Sequence, residues 1–134
     1  MDMVILIQTL LSVVRKSGGN AMTDCIFCRI SEKEIPSNII YEDDVIMVFH
    51  DVAPQAPVHA LIITKRHIDS LDACTDNDIE ILGYVLNKVK YIAQELELEN
   101  GYRLVCNCGE DGMQTVQHLH FHLLGKRQML WPPG

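Results

Sequence analysis

The sequence predicts an α+β domain in which a mainly antiparallel sheet of five strands packs against one long helix. Short runs rich in β-branched and aromatic residues occur early in the chain and are joined by hairpin-like links. A later segment has the three-four spacing of apolar residues that is typical of an amphipathic helix. A chain of 134 residues is long enough for one well-buried core and too short for two ordinary domains.

The first three strands are predicted from apolar runs. Residues 38–41 and 45–49 are rich in β-forming side chains and are separated by three acidic residues, so they are expected to form a hairpin. A proline-punctuated loop at residues 51–57 leads into a third run at residues 59–64.

The long helix is expected to follow residues 75–78, which resemble a capping box. Its predicted apolar stripe consists of residues 79, 82, 86, 89, 93 and 96. Residues 100–101 end the helix, residues 102–106 form a fourth strand, and residues 117–124 form a fifth.

Charge restricts the possible partners. The net charge is −7 and the sequence pI is about 5.2, so the chain repels the phosphate backbone of nucleic acids and a polymer partner is disfavoured. A mononucleotide is still a possible partner, because backbone N–H groups, a helix terminus or imidazoles can hold one phosphate. The odd number of cysteines, five, suits reduced thiols and a cytoplasmic location, with the nucleus also open.

The first part of the chain is predicted to be an extension. Residues 3–14 are almost wholly apolar, but the run is too short to span a bilayer. Arg15 and Lys16 follow it, whereas a secretory signal has its basic residues in front. We therefore favour an N-terminal extension, disordered or packed as a short helix, over a targeting segment for residues 1–21. Residues 22–134 are expected to form the domain, and no membrane is expected to be a partner.

Three histidines alternate with apolar residues in the run HLHFHLL at residues 118–124. Side chains two apart in a strand share one face, so the histidines line one face and the apolar residues, Leu124 included, supply the other. Such a row is compatible with metal binding, with nucleophilic or acid–base catalysis, or with a polar face in water. Strict alternation within an apolar setting favours a functional site.

This run matches the signature of the histidine-triad (HIT) superfamily. More of the chain resembles the Hint branch, the histidine-triad nucleotide-binding proteins. The matching segments occur in order at the family's spacings, at residues 26–27, 34–36, 41–44, 49–51, 54–57, 65–68, 101–103 and 127–134. The resemblance extends from about residue 24 to the last residue and implies a HIT-like fold whose sheet becomes continuous in a dimer.

The resemblance also implies an activity. Hint proteins hydrolyse the P–N bond of purine nucleoside 5′-phosphoramidates, and aminoacyl-adenylates, through a nucleotidyl-histidine intermediate. The residue corresponding to the nucleophile is His120, and His122 and His59 match positions that contact the phosphate or the leaving group. Thr115 stands where the family commonly has serine, and its hydroxyl can serve the leaving amine.

The nucleotide-binding residues implied by the resemblance are Ile30, Phe49, Asp51, Val52, Asn107, Thr115, His120 and His122. Asp51 is expected to accept hydrogen bonds from the ribose, and Asn107 to contact phosphate or ribose. Taken alone, Phe49 and Val52 fit ordinary core positions better than a binding role. Met113 departs from the pattern, because the branch often has a second glycine there, and this leaves room for a different loop path.

Some HIT proteins bind zinc with a Cys-x-x-Cys pair and two histidines, which correspond here to Cys25, Cys28, His67 and His118. Two thiolates and two imidazoles make the closed tetrahedral set of a structural zinc site. The alternative is a reduced cysteine pair with His67 capping a turn. The other three cysteines fit no ligand spacing and are expected to be small apolar residues.

The family forms two-fold homodimers, and residues 131–134 (WPPG) fit a stiff C-terminal segment that docks on the partner subunit. Three alternatives to a phosphoramidase remain. One is a dinucleoside polyphosphate hydrolase of the Fhit type, which the WPPG ending disfavours. The others are a non-catalytic nucleotide-binding or scaffolding protein and a zinc-binding module without turnover.

Overall fold

A computed structural model describes residues 24–134. In this part of the chain the helices are α1 (Ile26–Ser31) and α2 (Ile79–Glu95), and the strands are β1 (Ile39–Glu42), β2 (Ile46–His50), β3 (Val58–Thr64), β4 (Tyr102–Val105) and β5 (His120–Gly125). The predicted N-terminal extension, residues 1–21, lies outside the described residues, and the predicted domain boundary stays a prediction. Within residues 24–134 no helix is long and apolar enough to cross a membrane.

The strands form one sheet in the order β1-β2-β3-β5-β4, and every neighbouring pair is antiparallel. This confirms the predicted sheet of five strands and the early hairpin. Strand β5 lies between β3 and β4, so the histidine run is in the interior of the sheet. The β3–β5 register pairs Leu61 with His122 and Ile63 with His120.

The two faces of the sheet pack against different helices. One face and α2 enclose a core that includes Val48, Ile62, Val89, Phe121 and Leu123. The other face packs against α1, in a smaller core formed by Ile26, Phe27, Ile30, Ile35, Met47, Phe49, Leu61, Ile63 and Val116. By strand alternation His120 and His122 lie on the α1 face, where they pair with Ile63 and Leu61.

Leu124 also lies on the histidine face, because it pairs directly with His59 across β3 and β5. The prediction that it packs the opposite face was wrong. Two leucines in succession point to opposite sides of a strand, so only Leu123 belongs to the α2 core.

Helix α2 begins as predicted, since Thr75 and Asp78 form the reciprocal bonds of a capping box around a 3₁₀ turn at Asp76–Asp78. The predicted apolar stripe was wrong in part. Ile79 and Leu86 are 64% and 56% exposed, and the buried residues are Val85, Val89, Ile92 and Ala93. The predicted stripe and the buried stripe share residues 89 and 93. Periodicity alone does not show which edge of an apolar band packs against the sheet.

Two local features differ from the prediction. Helix α1 was not predicted, because six residues are too few to show a helical period. Strand β5 starts at His120, so His118 precedes it. The N–H of Leu119 donates to the carbonyl of Ile68 at 2.6 Å, outside the sheet ladder, and this contact delays the start of the strand.

Candidate functional site

The middle histidine of the run, His120, lies in the sheet with its ring almost fully covered. Its ring meets the Phe27 ring edge-on at a centroid distance of 5.0 Å. Its Nδ1 atom lies 2.6 Å from the carbonyl oxygen of His118. A carbonyl only accepts hydrogen bonds, so Nδ1 carries the proton and Nε2 carries the lone pair. Burial lowers the pKa of His120 against the opposing effect of this hydrogen bond, so the neutral ring is nucleophilic at Nε2.

His122 and His59 face each other across β5 and β3. The Nε2 atom of His59 lies 2.9 Å from Nδ1 of His122 and 3.3 Å from Oδ2 of Asp51. The N–H of Gln55 donates to Nδ1 of His59 at 3.0 Å. Burial lowers the pKa of each histidine to about 4, so both rings are neutral at neutral pH. The structure therefore brings the predicted assisting histidines and Asp51 into one group.

The residues predicted to enclose a base divide into two kinds. Phe49 and Ile30 are buried beside Phe27, whose ring meets that of Phe49 edge-on at 5.9 Å. Val52 is 61% exposed, which excludes the core alternative for this residue. Phe27 belongs to the matching segment at residues 26–27 but was assigned no role, although its ring contacts both the apolar residues and the histidine row.

The loop between β4 and the histidine run turns tightly. Met113 has a φ of 60°, a left-handed conformation that favours glycine. Glycine is the residue that the Hint branch often has at this position. A Cβ atom added to Gly112 would lie 2.5 Å from the carbonyl oxygen of Cys108, so this position requires glycine. Asn107 is half-buried near the start of the loop, and Thr115 is exposed near its end.

Gln114, which the sequence analysis also passed over, holds this loop in place. Its Nε2 atom donates to the carbonyl oxygens of Asp69 at 2.8 Å and Val116 at 3.0 Å. Its Oε1 atom accepts from the N–H of Gly109 at 3.1 Å. One amide side chain thus joins three backbone segments, a role that no local sequence pattern indicates.

The four residues predicted to bind zinc converge, with all their ligand atoms within 4.8 Å of one another. Nδ1 of His118 lies 3.3 Å from Sγ of Cys25 and 3.5 Å from Sγ of Cys28. Nδ1 of His67 lies 3.2 Å from both Sγ of Cys28 and Nδ1 of His118. Tetrahedral ligands at zinc bond lengths of 2.0 to 2.3 Å are separated by roughly 3.3 to 3.8 Å. The observed separations are close to this range.

Outer contacts orient both imidazoles of this group. Nε2 of His118 lies 2.7 Å from the carbonyl oxygen of Thr64, and Nε2 of His67 lies 2.7 Å from Oδ1 of Asp69. Each acceptor places a ring proton on Nε2, so in the neutral rings the two Nδ1 lone pairs face each other at 3.2 Å. Lone pairs at this distance repel unless a cation or proton lies between them. The donor set therefore fits a metal ion.

Helix α1 positions the cysteine pair. Cys25 is its N-cap, and its Sγ atom accepts from the N–H of Cys28 at 3.4 Å. Burial, followed by the adjacent Cys25, raises the pKa of Cys28 to about 12. Two thiolates this close together need a cation, so metal binding would release protons from the thiols.

Comparison with known proteins agrees with the sheet and the histidine row described above. An antiparallel sheet with an alternating histidine row near its centre is the architecture of histidine-triad proteins. Residues 32–129 match the HIT domain family model, and the chain belongs to that family.

Two curated relatives are similar over most of their length. The chain is 52% identical over 111 residues to an uncharacterized HIT-like protein of Synechococcus elongatus, covering 83% of this chain and 97% of the relative. It is 50% identical over 111 residues to the 14 kDa zinc-binding protein of Zea mays, covering 81% of this chain and 87% of that protein.

Solved structures share the fold. The HIT family hydrolase of Legionella pneumophila is 50% identical, with a TM-score of 0.80 and coverage of 82% of this chain and 99% of that chain. The histidine triad nucleotide-binding protein of Candida albicans is 34% identical, with a TM-score of 0.69 and coverage of 81% and 82%.

Proposed function

We propose that this protein is a hydrolase that acts through a nucleotidyl intermediate on His120. It cleaves the P–N bond of purine nucleoside 5′-phosphoramidates and the P–O bond to the acyl group of aminoacyl-adenylates. The observation that carries the proposal is the hydrogen bond from Nδ1–H of His120 to His118, which leaves Nε2 as the lone-pair atom of a buried neutral imidazole. The names of the Legionella and Candida relatives, a hydrolase and a nucleotide-binding protein, support the same assignment.

The proposed reaction has two displacements at phosphorus. In the first, the Nε2 lone pair of His120 forms a bond to the α-phosphorus while the P–N bond breaks, and the leaving nitrogen takes a proton from solvent. In the second, a water oxygen forms the new P–O bond and releases a proton to solvent while the bond to His120 breaks. The electron pair returns to Nε2, and the nucleoside monophosphate leaves. His122 contacts the phosphoryl oxygens or the leaving group, where an added hydrogen bond stabilises developing charge. His59 supports it through the 2.9 Å contact between its Nε2 atom and Nδ1 of His122. Thr115 donates or accepts at the leaving amine from its exposed position.

The proposed nucleotide pocket lies on the α1 face of the sheet. Val52 offers an exposed apolar surface to the base, whereas Ile30 and Phe49 support the pocket from the core behind it. Asp51 is the proposed acceptor for the ribose hydroxyls, and Asn107 the proposed phosphate or ribose contact.

We propose in addition that Cys25, Cys28, His67 and His118 hold one structural zinc ion. Their separations and the convergent Nδ1 lone pairs support this, and so does the name of the Zea mays relative. Bound there, zinc would hold α1, the turn after β3 and the start of the histidine run together.

The proposed partners are a purine nucleotide and a second copy of the chain in a two-fold dimer. Exposed apolar residues on α2, Ile79 and Leu86, and the sheet edge formed by β4 support the dimer. A cytoplasmic location, and a nuclear one in addition, stays a prediction.

Release of AMP from adenosine 5′-phosphoramidate tests the activity. We expect turnover by the wild type and loss of at least about a thousandfold in kcat in His120→Ala. His50→Ala is the matched control, because His50 is a half-buried histidine to which no catalytic role is assigned. Undiminished activity of His120→Ala would exclude the proposed nucleophile.

A parallel assay with diadenosine polyphosphates separates the alternatives. Faster cleavage of the dinucleotide than of the phosphoramidate would replace the proposal by the Fhit-type activity. Binding of AMP without turnover of either substrate would leave a nucleotide-binding protein.

A further inference from the structure

The imidazole of His59 is surrounded by groups that determine which ring nitrogen carries its proton. The N–H of Gln55 donates to Nδ1 at 3.0 Å. On the opposite side of the ring, Nε2 lies 3.3 Å from Oδ2 of Asp51. A peptide N–H only donates and an ionised carboxylate only accepts. Nδ1 of His59 is therefore the lone-pair atom, and Nε2 carries the proton.

The tautomer of His59 determines the tautomer of His122. Nδ1 of His122 lies 2.9 Å from the protonated Nε2 of His59, so it accepts, and the neutral His122 ring carries its own proton on Nε2. His120 is the reverse, with its proton on Nδ1. The two rings are adjacent on the same face of β5, with centroids 5.2 Å apart. The Nε2 atom therefore carries a lone pair in His120, whereas in His122 it carries a proton and is a hydrogen-bond donor.

We propose that the peptide N–H of Gln55 is a positioning group that acts through His59 to place the proton of His122 on Nε2. The loop between β2 and β3 is suited to this, because Pro54 and Pro57 restrict the backbone on either side of Gln55. Asp51 holds the same arrangement from within the core, where its side chain is 1% exposed. Only the catalytic consequence rests on the proposed function: His122 donates from Nε2 to the phosphoryl group while His120 attacks.

The same assignment argues against a metal ion at this position. The ligand atoms of Asp51, His59 and His122 lie within 4.8 Å of one another, close enough for a metal by distance alone. However, Nε2 of His59 would have to lose its proton before it could bind a metal. The proton cannot move to Nδ1, because Nδ1 already accepts a hydrogen bond from the N–H of Gln55. In the group around His118 the acceptors hold the ring protons on the far side, and the lone pairs converge.

Long-range ¹H–¹⁵N correlation spectra of histidine-labelled protein distinguish protonated from unprotonated ring nitrogens. In the wild type at neutral pH we expect the proton on Nε2 in His59 and His122 and on Nδ1 in His120. A proton on Nδ1 of His122 would overturn the proposal. This measurement needs no substrate, so it is independent of the proposed function.

Gln55→Pro removes the N–H but keeps the carbonyl that accepts from Nε of Arg127 at 3.0 Å. We expect mixed tautomers of His59 and His122 in this variant and an unchanged His120. Gln55→Ala is the matched control, because it keeps the N–H and removes only a side chain that contacts the carbonyl of Ala53 at 3.1 Å. It should retain the wild-type tautomers. Wild-type tautomers in folded Gln55→Pro would also overturn the proposal.

A second pair of variants tests the same step if the proline disrupts folding. His59→Gln keeps an N–H donor near the position of Nε2, whereas His59→Leu has none. We expect His122 to stay protonated on Nε2 in the first and to become mixed in the second; identical His122 tautomers in both would contradict the proposal.

The activity assay separates this inference from the proposed function. If the wild type releases AMP, we expect Gln55→Pro to lower kcat about tenfold. If the tautomers are as expected and no AMP is released, the positioning role stands and the proposed function fails.

Discussion

His118 and His120 are joined by a hydrogen bond of 2.6 Å from Nδ1–H of His120 to the main-chain oxygen of His118. The ring of His118 meanwhile belongs to the group formed with Cys25, Cys28 and His67. One residue thus serves two proposed sites, with its ring in the zinc site and its carbonyl orienting the nucleophile. Because His118 precedes the first residue of β5, the sheet ladder does not fix its position, and a bound metal would.

Protein purified in reductant is expected to contain about one zinc ion per chain. The Cys25→Ser/Cys28→Ser variant should contain none, because it removes both thiolates. Cys74→Ser is the control, since Cys74 packs half-buried against the α2 core. Metal analysis of the three proteins checks this, and wild type without zinc would contradict it.

Removal of zinc is expected to destabilise the fold by about 4 kcal/mol, the linkage expected when free metal exceeds the dissociation constant about a thousandfold. Chelator-treated and zinc-restored samples can be compared by urea unfolding. If the two curves coincide, the group does not hold a structural ion.

Mild acid is expected to destabilise the protein. The pKa of buried His59 is about 4, against about 6.5 in an unfolded chain, so the unfolded state binds more protons between these values. Stability is therefore full above the upper value and falls as pH drops toward the lower one. The loss from His59 is on the order of 1 kcal/mol at about pH 5.5. Urea unfolding at neutral pH and at about pH 5.5 measures it, and His59→Gln should show a smaller difference.

The β1–β2 turn depends on Asp43. Its Oδ1 atom accepts from the N–H groups of Val45 and Ile46 at 2.7 and 2.9 Å, and its Oδ2 atom accepts from the hydroxyls of Tyr41 and Tyr84. Although burial raises the pKa of Asp43, these bonds outweigh it and lower the pKa to about 2.

Asp43→Ala is expected to lower the free energy of unfolding by about 3 kcal/mol, because four donors lose a charged acceptor. The neighbouring Asp44→Ala is the matched control, since Asp44 is exposed, and it should change stability by less than about 0.5 kcal/mol. Equal effects of the two substitutions would show that the network contributes little.

Leu86→Asp is expected to convert the proposed dimer into a monomer, because it places a charge in the exposed apolar stripe of α2. Asn87→Asp adds the same charge one residue further on, off this stripe, and should leave the dimer intact. Sedimentation equilibrium measures both masses. A monomeric wild type would contradict the dimer directly.

Much of the fold was readable from local sequence. The capping box of Thr75 and Asp78 indicated the start of α2, and alternation along the histidine run placed His120 and His122 on one face of β5. These features depend on residues within one turn or one strand, where the spacing along the chain directly sets the distance and direction of the side chains.

The sequence alone determined the strands, the long helix and which side chains are candidates for a functional site, because those follow from local periodicity and residue type. The tertiary structure decided which ring nitrogen carries each proton. That depends on partners distant in sequence, such as Thr64 beside His118 and His59 beside His122. Only strand register and loop path bring those groups within hydrogen-bonding distance, and a single donor or acceptor there reverses what an imidazole can do.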